Sequence, residues 1–180
     1  AEFDLHKVHK AGARFSKEKA EWFNHQYLQK QSNEELLESF KNLEETKNIN
    51  LSDEKLLKII GLMKERATFV KDIYTQGKFF FEAPAAYDEK AVKKAWNEET
   101  ASIMTELSEK LNTTEFKSEI LKEEIHHLVE EKGLGFGKVM MPLRLALVGE
   151  LKGPDVPDLL EILGKEESLT RLKLAIEKIK

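Results

Sequence analysis

The sequence contains no cysteine. Disulfide bonds, thiolate metal sites and cysteine nucleophiles are therefore excluded, and the composition is compatible with a reducing compartment. No stretch of about 18 uncharged apolar residues occurs, and the first residues lack the apolar core of a signal peptide. We therefore expect a cytoplasmic protein that has no membrane partner.

The chain also has no excess of positive charge. Its 29 Lys and Arg residues stand against 33 Asp and Glu residues, which gives a formal net charge of −4. Such a balance argues against the broad positive potential that drives indiscriminate binding to nucleic acid. Any nucleic-acid site must be local, and DNA is not an expected partner.

Proline and glycine are scarce, at 4 and 9 of 180 residues. The long stretches between them are rich in Lys, Glu, Leu and Ala, the residues with the highest helix propensity. Sustained alternation of apolar and polar residues is absent, so the sequence predicts an all-α fold. Ser16, Ser32 and Ser52 precede apolar-periodic runs and are predicted N-caps, and Glu35 is placed to complete a capping box with Ser32.

Further helices are predicted from residue 89 onward. Asn112 and Thr113 suit a break between the first two, and Gly164 suits the end of the third. The predicted ranges are 89–111, 114–131, 155–163 and 166–179. Pro142 should start, kink or interrupt the helix that follows the glycine-rich turn GLGFG at 133–137.

Motifs that carry catalysis or bind metals are weak in this sequence. GLGFG lacks the hydroxyl residue of a phosphate-binding loop and does not follow a predicted strand, so it predicts a turn between helices. The pairs Glu123/His126 and Glu124/His127 have the E-x-x-H spacing of di-iron bundles, but no second such helix exists. We assign no catalytic residue and no metal ligand; a di-iron bundle stays a third alternative.

Two groups of aromatic side chains could stack on nucleic-acid bases. They are Trp22, Phe23 and Tyr27, and the three phenylalanines at 79–81. Their helical spacing and apolar neighbours predict core packing instead. Arg144 stands out for the opposite reason, because it lies in the apolar run MPLRLALVG where a structural helix would place an aliphatic residue.

Two ordered stretches carry a resemblance to a known family. FDLHKVHKAGARFSKEKAEWFNHQYL at 3–28 resembles the segment after the catalytic core of bacterial-type glutamyl-tRNA synthetases, and GFGKVMMPLRLALVGELKGPDVPDLLEILGKEESLTRLKLAI resembles the C-terminal signature of that family. The matching residues are Gly12, Phe15, Lys19, Trp22, Asn24, Pro142, Leu143, Arg144, Leu147, Gly149, Pro154, Leu163, Gly164, Lys165 and Glu166.

The resemblance implies the tRNA-reading C-terminal part of such an enzyme, which would not aminoacylate alone. The family's nucleotide-binding core, where ATP and magnesium act, has no counterpart in these residues, so no cofactor is expected here. The implied organisation is the end of the stem-contact region over 1–30 and two anticodon-binding helical subdomains over 31–113 and 114–180. We expect a monomer whose partner is tRNA(Glu).

The resemblance also implies binding residues. Arg66 matches the arginine that reads the third anticodon base, and Arg144 matches the arginine that contacts the first. The loop over 151–157, with Gly153 and Pro154, is expected to lie beside Arg144 and to contact nearby bases. Candidate ligands of the tRNA backbone are Lys19, Lys64, Lys138 and Lys152. Some relatives carry a hydroxyl residue at the position of Gly153, so a contact through that hydroxyl does not transfer.

We hypothesise that Arg66 distinguishes glutamate from glutamine tRNA, because cytosine offers acceptors where guanine presents N–H donors. Both arginines should then reach one accessible face between the helix groups. The alternative function is a helical protein-interaction module without tRNA specificity, for which an acidic helical surface is also suited.

Overall fold

The computed structural model describes residues 16–179. Ten α-helices and no strand occur in this range, which confirms the all-α prediction. The helices are α1 (Lys17–Lys30), α2 (Asn33–Lys41), α3 (Asp53–Lys64), α4 (Val70–Gln76), α5 (Glu89–Ala95), α6 (Glu98–Thr113), α7 (Ser118–Glu131), α8 (Gly137–Val148), α9 (Val156–Leu163) and α10 (Lys165–Lys178). Short 3₁₀ turns lie at Glu44–Thr46 and Lys78–Phe80.

The three predicted serine N-caps are confirmed. The hydroxyl of Ser32 accepts the Glu35 backbone N–H at 3.1 Å, and the Glu35 carboxylate accepts the Ser32 N–H at 2.8 Å. Ser16 and Ser52 likewise accept the N–H three residues onward. Each hydroxyl satisfies a backbone donor that the first helical turn leaves without an intrahelical partner.

The prediction of a single helix over 89–111 is wrong, because two helices occupy this range. The backbone is extended at Trp96 and Asn97, which separates α5 from α6. The Asn97 side chain accepts the Thr100 N–H at 3.0 Å, and the Thr100 hydroxyl accepts the Asn97 N–H at 3.1 Å. This reciprocal cap starts a new helix within a stretch of good helix formers.

The start of the next helix also differs from the prediction. α7 begins at Ser118 and not at Thr114, whose backbone is extended. The Ser118 N–H donates to a carboxylate oxygen of Glu161 at 2.6 Å. A long-range partner therefore sets this helix start, and no local cap signal marks it.

The core is formed by two groups of helices that meet at α3 and α9. α2 packs against α3 and α4, while α6 and α9 both pack against α8 and α10. Leu36 and Ile59 are fully buried in the first group, and Leu107 and Leu143 are fully buried in the second. α5 packs on α8, and the predicted division into 1–30, 31–113 and 114–180 stays a prediction.

The core prediction holds for one aromatic group and fails for the other. Phe79 and Phe80 are buried, whereas Trp22, Phe23 and Tyr27 are 58%, 54% and 67% exposed. The prediction that these three residues pack in the core is therefore wrong. α1 contacts the rest of the protein through Leu28, which is buried, and through polar side chains that are described below.

The remaining local features follow the sequence. Pro142 lies inside α8, GLGFG forms the connection between α7 and α8, and Gly164 ends α9 with a φ of 82°. Over residues 16–179, no helix is both long enough and apolar enough to cross a membrane. The same residues bring no three potential metal-binding side chains together.

Candidate nucleic-acid interface

Arg66 lies in the short connection that follows α3. Its side chain is exposed, and its own carbonyl accepts a hydrogen bond from the Gln76 amide at 3.4 Å. The backbone N–H of Arg66 donates to the Met63 carbonyl at 3.1 Å. The main chain at Arg66 is thus fixed by α3 on one side and by α4 on the other.

α1 holds the rest of this connection. Three of its side chains donate to main-chain carbonyl groups at the last residue of α3 and in the turn that follows it. Asn24 binds the carbonyl of Thr68, His25 Nδ1 binds that of Ala67 at 2.8 Å, and Gln29 binds that of Lys64 at 2.5 Å. The polar face of α1 therefore positions the arginine-bearing turn.

Arg144 projects from α8 and is half-buried. Its Nη1 donates to the carbonyl of Pro154, while Nη2 of Arg66 donates to the carbonyl of Gly153 at 3.2 Å. Two arginines that are 78 positions apart in the printed sequence thus bind successive carbonyls of one loop. The predicted convergence of the two side chains is present in the structure.

The charge of this arginine pair is not neutralised by a close carboxylate. Within residues 16–179, neither guanidinium has an Asp or Glu oxygen within 4 Å. Burial lowers the pKa of Arg144, and the nearby positive charge of Arg66 lowers that pKa further, while Asp155 opposes both. Two like charges therefore lie close together and remain able to bind an acceptor-rich ligand.

The loop that receives both arginines needs glycine at its centre. Gly153 has a φ of 148°, a conformation that L side chains rarely adopt. A methyl group on Gly153 would lie 3.3 Å from Nη1 of Arg144 and 3.9 Å from the Phe79 ring. Pro154 is buried beside it, and its fixed φ stiffens the loop.

The four lysines predicted to bind the tRNA backbone differ in their surroundings. Lys152 is exposed in the loop beside Gly153, and Lys64 donates from its ammonium to the Gln31 carbonyl. Lys19 is exposed on α1, and Lys138 is exposed at the start of α8, about 9 Å along the axis from Arg144. Lys152 is next to the arginine-bound carbonyls in sequence, whereas Lys138 lies at the far end of its helix.

Two residues near the site have no part in the sequence prediction. Asp155 caps α9 and its charge opposes the lowering of the Arg144 pKa, and Arg171 of α10 is buried. A signal for Arg171 does exist, because it lies in the apolar stripe of α10 with Leu172 and Ala175. The same kind of signal distinguishes Arg144 in α8. Gly12 and Phe15, which belong to the family resemblance, lie outside the described residues.

Comparison with known proteins agrees with this architecture. The sequence is 45% identical over 179 residues to a glutamate–tRNA ligase of Christiangramia forsetii, covering 99% of this chain and 35% of the relative. It is 47% identical over 175 residues to a glutamate–tRNA ligase of Flavobacterium johnsoniae, covering 97% and 35%. The chain thus spans about a third of the length of these curated relatives.

Solved structures give the same result. The crystal structure of a glutamate tRNA ligase from Elizabethkingia meningosepticum in complex with its amino acid matches with a TM-score of 0.94 and 68% identity, covering 99% of this chain and 36% of that one. A glutamate-tRNA synthetase from Elizabethkingia anophelis matches with a TM-score of 0.89 and 67% identity, covering 98% of this chain and 35% of that one. A sequence profile described as the anticodon binding domain matches residues 18–176, and the chain therefore belongs to this anticodon-binding domain family.

Proposed function

We propose that this chain binds the anticodon loop of tRNA(Glu) as the tRNA-reading part of a glutamate–tRNA ligase. The observation that carries the proposal is the pair of guanidinium groups of Arg66 and Arg144 on successive loop carbonyls, with no carboxylate within 4 Å among residues 16–179. The family match and the glutamate–tRNA ligase relatives support it. The ligase chemistry, in which ATP and magnesium activate glutamate, belongs to the parent enzyme's catalytic domain. This chain would support that chemistry by binding the tRNA, and the proposed location of the enzyme is the cytoplasm.

The geometry suits base reading. A guanidinium has five N–H donors in a fixed plane and keeps its charge at every physiological pH. One N–H donor of Arg66 binds the Gly153 carbonyl, and the other donors remain available to a ligand. Because the carbonyl fixes the guanidinium without neutralising it, the remaining donors can face the O2 and N3 acceptors of a cytosine at the third anticodon position. A guanine at that position would present its own N–H donors to the N–H donors of Arg66, and no hydrogen bond could form between them.

Backbone binding would be local as well. Lys152 extends the arginine pair along the loop, and Lys64 lies two residues before Arg66. Phosphate contacts position the RNA, while base contacts provide specificity. A few such cations on an acidic protein favour specific binding over general attraction to polyanions.

The test uses RNA stem-loops that carry the glutamate anticodon, the glutamine anticodon or a scrambled loop, titrated against the 180-residue chain. We expect preference for the glutamate stem-loop and an affinity that falls steeply with added salt. In Arg66→Gln, the preference for glutamate over glutamine should fall by about tenfold. Lys173→Gln, on the exposed surface of α10, is the matched control for a lost charge and should keep the preference.

Two results would contradict the proposal. One is an equal affinity of the wild-type chain for all three RNAs, which would favour the protein-interaction module. The other is an unchanged glutamate-to-glutamine ratio in Arg66→Gln, which would remove Arg66 from base reading.

A further inference from the structure

Arg171 is a buried arginine in the last helix. Its side chain is 2% exposed, and it lies on the same face of α10 as Leu172 and Ala175. Arginine is almost never fully buried unless its donors and its charge are satisfied. Its partners therefore indicate what it holds in place.

Those partners come from three elements. Nη1 donates to the carbonyl of Phe79 at 2.6 Å and to the carbonyl of Leu147 at 2.8 Å. Nε donates to a carboxylate oxygen of Glu167, one turn earlier on α10, at 2.6 Å. The arginine thus joins α10 to the end of α8 and to the 3₁₀ turn Lys78–Phe80.

The contact with Leu147 fixes the helix that carries Arg144. Leu147 lies in the last turn of α8, where carbonyl groups lack intrahelical partners and the helix dipole favours a positive charge. Arg144 lies three residues earlier, which is one turn on the same side of the helix. The chain leaves α8 at Gly149 and reaches the arginine-binding loop within four residues.

The hydrogen bond from Arg171 to the Phe79 carbonyl supports the same loop, because the Phe79 ring lies against it. The Phe79 ring is one of the three closest groups to the position that a Gly153 methyl would occupy. The backbone of Phe79 is bound by Arg171, and its ring packs beside the residue whose carbonyl binds Arg66. One buried side chain therefore braces both halves of the arginine site.

We propose that Arg171 is a positioning residue for anticodon reading: it locks the end of α8 and the Phe79 turn so that the loop carbonyls present Arg66 and Arg144 in one fixed arrangement. This inference rests on the proposed function for its biological meaning. The arrangement of the arginine pair can, however, be measured without RNA.

The experiment compares Arg171→Met, which removes the donors and the charge, with Arg171→Lys, which keeps the charge. Each is measured at a temperature where circular dichroism shows it to be folded. We expect the preference for the glutamate over the glutamine stem-loop to fall by about tenfold in Arg171→Met and by less in Arg171→Lys. The Nε–H signals of Arg66 and Arg144 in ¹⁵N NMR spectra should move in both variants; the chain has four arginines, so the spectrum is simple.

Leu121→Ala is the matched control, because Leu121 is fully buried in α7, a helix that packs against α6 and α9. It should lower the melting temperature and leave the RNA preference and the arginine signals unchanged. If folded Arg171 variants keep the wild-type preference and signals, Arg171 is only structural and the inference is wrong. If the wild-type chain shows no RNA preference, the proposed function fails, and the NMR signals alone decide whether Arg171 positions the pair.

Discussion

Main-chain carbonyls hold the two arginines of the candidate site, and this choice of partner has a physical consequence. A carboxylate would fix a cationic side chain and neutralise its charge at the same time, as Glu45 does for the ammonium group of Lys71 on the surface. A carbonyl fixes the plane of the guanidinium and leaves the net charge. Arg66 and Arg144 are therefore oriented before a ligand arrives, which reduces the entropy lost on binding.

Gly153→Ala should disturb this arrangement at its centre. The new methyl group would force a φ of 148° on a residue that disfavours it and would lie 3.3 Å from Nη1 of Arg144. We expect the affinity for the glutamate stem-loop to fall by about tenfold, which corresponds to about 1.4 kcal/mol. Gly135→Ala is the control, since nothing lies within 4 Å of its added methyl group. Equal affinities of the two variants would contradict the prediction.

Ser168→Ala should stabilise the protein. The Ser168 hydroxyl is fully buried and, among residues 16–179, is the one buried side-chain polar group without a hydrogen-bond partner. Removing an unsatisfied buried hydroxyl should raise the free energy of unfolding by about 1 kcal/mol, measured by urea denaturation. Thr170→Ala on the same helix serves for comparison, because its exposed hydroxyl donates to the Glu166 carbonyl. A loss of stability in Ser168→Ala would show that the hydroxyl has a partner after all.

At the scale of the helix, hydrogen bonds within four residues decide where an element begins, and these are the features that the sequence predicts well. Ser32 and Glu35 form the expected capping box. The break before α6 depends on an equally local cap by Asn97, but the helix-forming residues on both sides outweigh that signal in a sequence analysis. The start of α7 at Ser118 could not be predicted locally, since Glu161 is 43 positions away.

Asn97→Ala should weaken α6 at its first turn. The side chain of Asn97 accepts the Thr100 N–H, and the loss of an N-cap costs about 1 kcal/mol of stability. Thermal and urea unfolding of the variant would measure this loss. Asn112→Ala, at an exposed position in the last turn of the same helix, should cost less. If both changes had the same effect, the cap would not be what separates α5 from α6.

The surroundings of α1 show why the outward face of a helix is hard to predict. Spacing shows that Trp22, Phe23 and Tyr27 share a region of the helix, but it does not show which neighbour covers them. In the structure, Asn24 and His25 of the same helix bind the turn after α3 instead. Polar side chains that bind main-chain carbonyls of a neighbouring turn can thus contribute to docking a helix.

At the scale of the whole molecule, the candidate site exists because two helix groups meet. Arg66 follows α3 and Gly153 precedes α9, and these helices also pack against each other. Sequence alone singles out Arg144 by its apolar setting, and Arg66 only through the family resemblance. Neither signal contains the hydrogen bond of Arg66 with the Gly153 carbonyl, which joins residues 87 positions apart.

The junction between the two groups should respond to pH through Glu161. One of its carboxylate oxygens accepts from Lys58 of α3 at 2.8 Å and the other from the Ser118 N–H at 2.6 Å. The bond with Lys58, followed by that with Ser118, lowers the pKa of Glu161 below its ordinary value. A carboxyl group whose folded pKa is lowered adds stability above its unfolded pKa of about 4.3, and this contribution is lost as the pH falls through the folded pKa.

Glu161→Gln should therefore destabilise the protein at pH 7 by about 1 kcal/mol, because a partly exposed charged hydrogen bond is lost. The difference from wild type should shrink as the pH falls below the unfolded pKa and vanish once the wild-type carboxyl group is protonated. Urea unfolding at a series of pH values measures both effects. Glu38→Gln, at an exposed position on α2, should show neither. A deficit in Glu161→Gln that stayed constant into acid would mean that shape, and not charge, holds α3, α7 and α9 together at this junction.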